Sequence, residues 1–155
     1  MCSSDLTRPP NTTAYTAGDA MTDSTTAPTI LTLDFGASVI GSQLEVSRVE
    51  IVSKASPTTL LTCNLLLSPV TFTGTNDNDA LAITEASLVA GTLVVPITAG
   101  IDCGTPALLY ANGLELPIKL AAADTKLYAT LQATNAYVPA SAETFKVKVW
   151  AKVCA

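Results

Sequence analysis

The chain has 155 residues, a formal net charge of −5 and no histidine, and only 14% of its residues are charged. This length fits one domain, and the acidic balance predicts no nucleic-acid partner, because phosphate backbones are bound by clustered Lys and Arg. Without histidine the serine–histidine and cysteine–histidine nucleophile pairs are excluded, and no glycine-rich phosphate loop is present. We therefore expect a protein that is not an enzyme and that uses no cofactor.

Residues 1–28 are predicted to form an extended amino-terminal arm or a segment that covers the edge of a sheet. They contain Pro9, Pro10 and Pro28 among Thr, Ser and Asp, and they show no apolar periodicity. The opening MCSSDLTRPP lacks the apolar stretch of a secretion signal, and no run in the chain reaches the roughly 18 to 20 apolar residues that cross a membrane. We expect synthesis in the cytoplasm and no membrane partner.

Residues 29–155 are predicted to fold as one all-β domain. Apolar and polar side chains alternate along several runs, which is the period-2 pattern of strands with one buried face. Turn-forming residues separate the runs, as is typical of an antiparallel β-sandwich or a jelly-roll-like barrel. The predicted strands are Thr29–Phe35, Gln43–Ser53, Leu60–Phe72, Thr92–Thr98, Leu114–Leu120, Thr125–Thr134 and Thr144–Val153.

Two places depart from regular strand patterning. Within Gln43–Ser53 the apolar residues change parity, which predicts a β-bulge near Ser47 and Arg48. Thr84–Gly91 combines an N-cap threonine, Glu85 in the first turn and a glycine at the end, which predicts one short helix.

The stretch Asn76–Asp79 carries four oxygen-bearing side chains in a row. Such side chains are calcium ligands, but the pattern of an EF-hand is not met, and Asn and Asp also favour turns. We predict a turn, with an ion site as the alternative. An enzyme would need a cleft that gathers acidic residues, and nothing in the sequence gathers candidates such as Asp77, Asp79, Glu85 and Asp124.

Four cysteines, Cys2, Cys63, Cys103 and Cys154, are candidate disulfide residues, and no CxxC pair indicates a zinc ribbon. Cys63 alternates with leucines, which predicts a buried thiol, whereas Cys103 lies in a predicted exposed turn. Cys154 continues the lysine-bearing face of the last strand, and Cys2 lies in the predicted arm, so both are expected to be reachable. Pairing between chains, pairing within a chain and free thiols all remain open.

The last strand also places Trp150 on the same parity as its lysines. This predicts an outward-facing aromatic side chain where a partner surface lies. Trp150 is therefore a candidate interface residue.

Three stretches are spread over most of the chain: TRPPNTTAYTAGD at residues 7–19, NDALAITEA at residues 78–86 and AYVPASAETF at residues 136–145. In this order they resemble small phage-encoded proteins found with the major capsid protein, the head decoration or capsid-stabilising proteins. We refer to them as the first, middle and last decoration-like stretches.

The resemblance implies a trimeric β-sandwich on the outer surface of the virion's capsid, where it clamps adjacent capsomers and has no active site. Its partners would be the major capsid protein and other copies of itself, and Tyr15 and Tyr137 are candidate interface residues of such a trimer. The terminal cysteines Cys2 and Cys154 depart from this family's pattern and would add inter-subunit disulfides.

A receptor- or carbohydrate-binding domain of a tail fibre, or another adhesive module, is the alternative. Carbohydrate sites use exposed aromatic rings for stacking, and the aromatic content of this chain is only 5%. Copy number separates the two hypotheses, because a decoration protein is abundant in the particle and a fibre tip is scarce.

Overall fold

The computed structural model describes residues 1–55, 59–83 and 91–154, and within them the chain forms an all-β sandwich of two antiparallel sheets. One 3-10 helix spans Ala37–Val39. The strands in chain order are β1 Cys2–Thr7, β2 Ala20–Met21, β3 Leu31–Asp34, β4 Gln43–Ser53, β5 Cys63–Ser68, β6 Leu93–Ile97, β7 Ala99–Asp102, β8 Ala107–Lys119, β9 Lys126–Ala133 and β10 Thr144–Val153.

The first sheet has the strand order β1-β10-β4-β8-β7, and the second has the order β2-β9-β5-β6, with β3 also paired to β9. Only Thr98 separates β6 from β7, so the chain passes there from the second sheet into the first. The prediction of a sandwich is confirmed. Its core lies between the two sheets, where apolar side chains of alternate residues meet.

Periodicity located the long strands best. β4 and β10 have the predicted bounds, and β3, β5, β6 and β9 lie within predicted runs. β8 begins at Ala107 rather than at Leu114, and β1, β2 and β7 were not predicted. The predicted helix at Thr84–Gly91 lies, apart from its final glycine, outside the described residues.

The predicted bulge in β4 is confirmed. Arg48 pairs with Trp150 and Val46 pairs with Ala151, so Ser47 is an extra residue opposite β10. Because the inserted residue shifts the alternation by one, apolar side chains on both sides of the bulge face the core.

The prediction of an extended arm at residues 1–28 differs from the structure, whereas the alternative of an edge-covering segment agrees with the position of β1 beside β10. β1 pairs with β10 from Cys2 to Thr7, and β2 pairs with β9, so this segment contributes to both sheets. β1 is an edge strand with few apolar residues, and only Cys2 and Leu6 within it are buried. A strand of this composition leaves little periodicity to detect.

Candidate functional site

The four cysteines lie in different environments, and all of them are free thiols. Cys63 is fully buried in the core and Cys103 is exposed, as predicted, and Cys154 is partly exposed. The expectation that Cys2 is reachable is wrong, because its position in β1 faces the core and leaves it only 8% exposed. Burial raises the pKa of both Cys2 and Cys63 from 9.0 to about 12, which disfavours the reactive thiolate.

The register of the first sheet sets the distance between Cys2 and Cys154 of one chain, and this distance decides whether they can form a disulfide. Cys2 lies opposite Val149, and Cys154 follows Val149 by five positions, directly after the end of β10. At roughly 3.3 Å per residue, their Cα atoms are about 16 Å apart. A disulfide needs Cα atoms within about 7 Å, so Cys2 and Cys154 of one chain do not pair in this fold.

Arg8 forms a fully buried ion pair with Asp77, with 2.9 Å between Nη2 and Oδ2. The Tyr15 hydroxyl donates a hydrogen bond of 2.5 Å to Asp77 Oδ1, and the Thr22 amide donates one of 3.0 Å to the same oxygen. Arg8 Nε donates to the Tyr15 hydroxyl, and the guanidinium lies 4.5 Å from the centre of that ring. We call these residues the Arg8 cluster, and it joins the amino-terminal segment to the middle of the chain.

A second buried carboxylate lies next to the Arg8 cluster. The Tyr137 hydroxyl donates a hydrogen bond of 2.6 Å to Glu143 Oε1, to which the Ser53 hydroxyl also donates. The Ala140 amide donates to Glu143 Oε2 at 3.0 Å. The Arg8 amide donates a hydrogen bond of 3.0 Å to the Glu143 carbonyl. This backbone hydrogen bond links the Arg8 cluster to the residue that carries the second carboxylate.

The prediction that Tyr15 and Tyr137 are interface residues is wrong for the folded chain. Each is only 1% exposed, and the two form an isolated antiparallel bridge to each other. Burial, followed by the hydrogen bond to a carboxylate, raises the pKa of both hydroxyls above the ordinary value. A side chain that is buried within its own chain is not available to contact a partner.

The stretch Asn76–Asp79 forms a turn, as predicted, with Asn78 in the left-handed region at φ 67°. Both oxygens of Asp77 are already engaged by the Arg8 cluster. Across the described ranges, no group of three or more Cys, Asp or Glu side chains is placed to hold a metal ion. Asp124 accepts a hydrogen bond of 2.9 Å from the Tyr128 hydroxyl. It is distant from Asp77 in the sequence, and its hydrogen-bond donors differ from those of Asp77. Glu85 lies outside the described residues.

A polar groove of about 570 Å³ lies between the edges of β1 and β3. Two carboxylates, Asp5 and Asp23, line it. Asp23 accepts a hydrogen bond of 2.7 Å from the Thr29 amide, and Asp5 lies 3.5 Å from Lys146 Nζ. Both carboxylates therefore have structural partners.

Trp150 faces outward on the same side as the lysines of β10, as predicted, and it is half-buried. The Arg48 guanidinium lies 4.9 Å from the centre of its ring, at cation–π distance. Arg48 also pairs with Glu50, which Lys148 approaches to 3.5 Å. The ring is thus held within a network of charges on the outer face of the first sheet.

No protein-family model matches the chain, and no curated protein is similar to it. Among the described residues, no helix has the length and apolar character needed to span a bilayer.

Proposed function

We propose that the protein is a non-enzymatic structural protein of a phage virion. It binds the outer surface of the capsid through the major capsid protein, assembles as a trimer, and stabilises the shell by clamping adjacent capsomers. The observation that supports this proposal is the convergence in space of the three decoration-like stretches, which are far apart in the sequence.

The described residues of these stretches contact one another. The first and last stretches are joined by the Tyr15–Tyr137 bridge, and the first and middle stretches by the Asp19–Ala80 bridge. The Leu81 amide also donates to the Gly18 carbonyl at 2.9 Å. Described residues of all three stretches are therefore in contact, as expected if the resemblance reflects a shared fold.

The same contacts are suited to a protein that must resist mechanical force. The first and last decoration-like stretches adjoin β1 and β10, which are paired along six residues. Buried hydrogen bonds to charged groups are stronger than neutral ones, so the Arg8 cluster opposes separation of the amino-terminal segment from the sandwich. A clamp needs such resistance, because capsomers that move apart pull on the protein between them.

Inter-subunit disulfides are part of the proposal, at Cys154 and Cys103. Both are accessible, whereas Cys2 and Cys63 face the core. In the cytoplasm thiols remain reduced, so these bonds would form after the particle meets an oxidising medium.

The alternative of a carbohydrate-binding module has less support. A sugar stacks on an open aromatic face, and Arg48 already lies over the ring of Trp150. Binding there would require the displacement of an arginine that is also paired with Glu50.

Co-sedimentation with capsids tests the proposed function. Purified protein is mixed with capsids of the phage that encodes it, after accessory proteins have been stripped with a mild chaotrope. We expect saturable binding at a fixed ratio to the major capsid protein and a higher temperature of capsid disruption. Absence of binding to stripped capsids, with the protein folded, would contradict the proposal.

A further inference from the structure

Charge is distributed unevenly between the outer face of the first sheet and the rest of the chain. By strand register, five of the eight basic residues in the sequence lie on this face, together with four of the thirteen acidic ones. This face has a formal charge of about +1 and the remaining sequence about −6, counting Lys and Arg against Asp and Glu. The residues on the face are Arg48, Lys119, Lys146, Lys148 and Lys152 with Asp5, Glu45, Glu50 and Glu115.

The half of this face that lies towards β7 carries an apolar row. Val52 lies opposite Leu108, and Leu108 lies opposite Ile101, so one side chain from each of three neighbouring strands lines up. Ile101 is 51% exposed. Tyr110 occupies the next outward position of β8, opposite Glu50 of β4. An apolar row beside an aromatic side chain fits the core of a protein interface, where aromatic residues are enriched.

Arg48 and Trp150 lie on the other side of the same face. Arginine, tryptophan and tyrosine are the residue types that contribute most often to binding energy at interfaces. Here two of them are held together by the cation–π contact, which limits the entropy that a partner must remove on binding.

We infer that the outer face of the first sheet binds the acidic surface of a second copy of the same chain. The charges of the chain indicate this occupant, because the face has a formal charge of about +1, whereas the accessible charged residues described outside it sum to about −3. Those residues are Asp23, Asp34, Asp79, Asp102 and Asp124 with Lys54 and Lys126. A contact between two different surfaces is heterologous, and repetition of it around an axis closes a ring. This inference deepens the trimer within the proposed function and rests on it for the number of subunits.

A matched pair of variants tests this interface. Ile101→Asp places a charge in the apolar row, and Val94→Asp places the same charge on β6 of the second sheet, at a residue that is 53% exposed. Both variants change the net charge equally and alter an exposed branched side chain. Sedimentation velocity over a concentration series then measures self-association without any capsid.

We expect the wild type and Val94→Asp to associate alike, and Ile101→Asp to associate at least about 30-fold more weakly, as for loss of an interface hot spot. Raising the salt concentration to about 1 M should also weaken the wild-type association, since it shortens the screening length to about 3 Å. Circular dichroism of each variant establishes that it is folded.

Two results would overturn the inference. One is a wild-type protein that stays monomeric at every concentration, and the other is equal association of the two variants. If the variants associate equally but Ile101→Asp alone fails to sediment with stripped capsids, the occupant is the capsid and not a second copy. The proposed function is judged separately, by the co-sedimentation of the wild type.

Discussion

Removal of the buried cation in the Arg8 cluster is expected to destabilise the protein strongly. Arg8→Met keeps much of the side-chain length but leaves the Asp77 carboxylate without its ion-pair partner, in a site where both side chains are fully buried. Breaking a buried pair by removal of one partner costs about 3 to 5 kcal/mol. Domains are stable by only about 5 to 15 kcal/mol, so this loss is a large part of the total.

The expected loss corresponds to a fall in Tm of about 6 to 20 °C, at about 2 to 4 °C per kcal/mol for a chain of this size. Urea unfolding followed by fluorescence provides the free energy, since the protein has a single tryptophan, Trp150. Lys152→Met is the matched control. Its partner Glu45 lies 2.7 Å away at the surface, and its urea midpoint should stay close to that of the wild type.

A double-mutant cycle separates the charge pair from its packing. Asp77→Leu alone should also destabilise the protein, because it leaves Arg8 buried without a counter-charge. In Arg8→Met/Asp77→Leu neither charge remains, so its loss should be smaller than the sum for the two single variants. Unchanged stability of Arg8→Met, or strict additivity in the cycle, would refute the account of the Arg8 cluster.

Three further predictions concern thiols and pH. In the folded protein, Cys103 and Cys154 should react with a disulfide reagent at pH 8 much faster than Cys2 and Cys63; equal labelling of Cys2 and Cys103 would contradict the burial of Cys2. Burial raises the pKa of Cys2 and Cys63 from 9.0 to about 12, so the folded state keeps protons that the unfolded state loses over this range. The contribution of these two thiols to stability should therefore be constant up to about pH 9 and should fall as the pH rises towards 12, and a urea midpoint that does not change between pH 9 and pH 11 would oppose this. In virions alkylated before denaturation, non-reducing electrophoresis should show oligomers that Cys154→Ser or Cys103→Ser removes, whereas a single monomer band with and without reductant would mean that no disulfide links subunits.

The sequence predicted the parts of the fold in which periodicity is strong. β10 buries Phe145, Val147 and Val149 and turns its lysines outward, so its bounds could be read from the alternation. β7 has only four residues and includes Gly100, and β1 has two buried residues in six. Neither strand therefore has an alternation of apolar and polar residues that differs clearly from the neighbouring sequence. A short edge strand forms because it pairs with a neighbouring strand, and the local sequence carries no information about that pairing.

The contacts within the candidate site were beyond prediction for a related reason. Arg8 and Asp77 are separated by 69 positions, and each lies in a polar stretch that resembles a turn. Polar stretches are normally exposed, so Tyr15 and Tyr137 were expected at the surface, yet their hydroxyls are buried against carboxylates. The one available signal was the decoration-like stretches, which contain or adjoin all four residues.

The copy number of the protein in purified particles tests the central claim most directly. Quantitative mass spectrometry of virions, with the major capsid protein as internal reference, measures this ratio in one experiment. The proposed function predicts a ratio close to a small whole-number fraction of the capsid subunits, with the protein among the most abundant components. A few copies per particle would indicate a fibre or tail position, and absence from the particle would contradict a structural role in the virion.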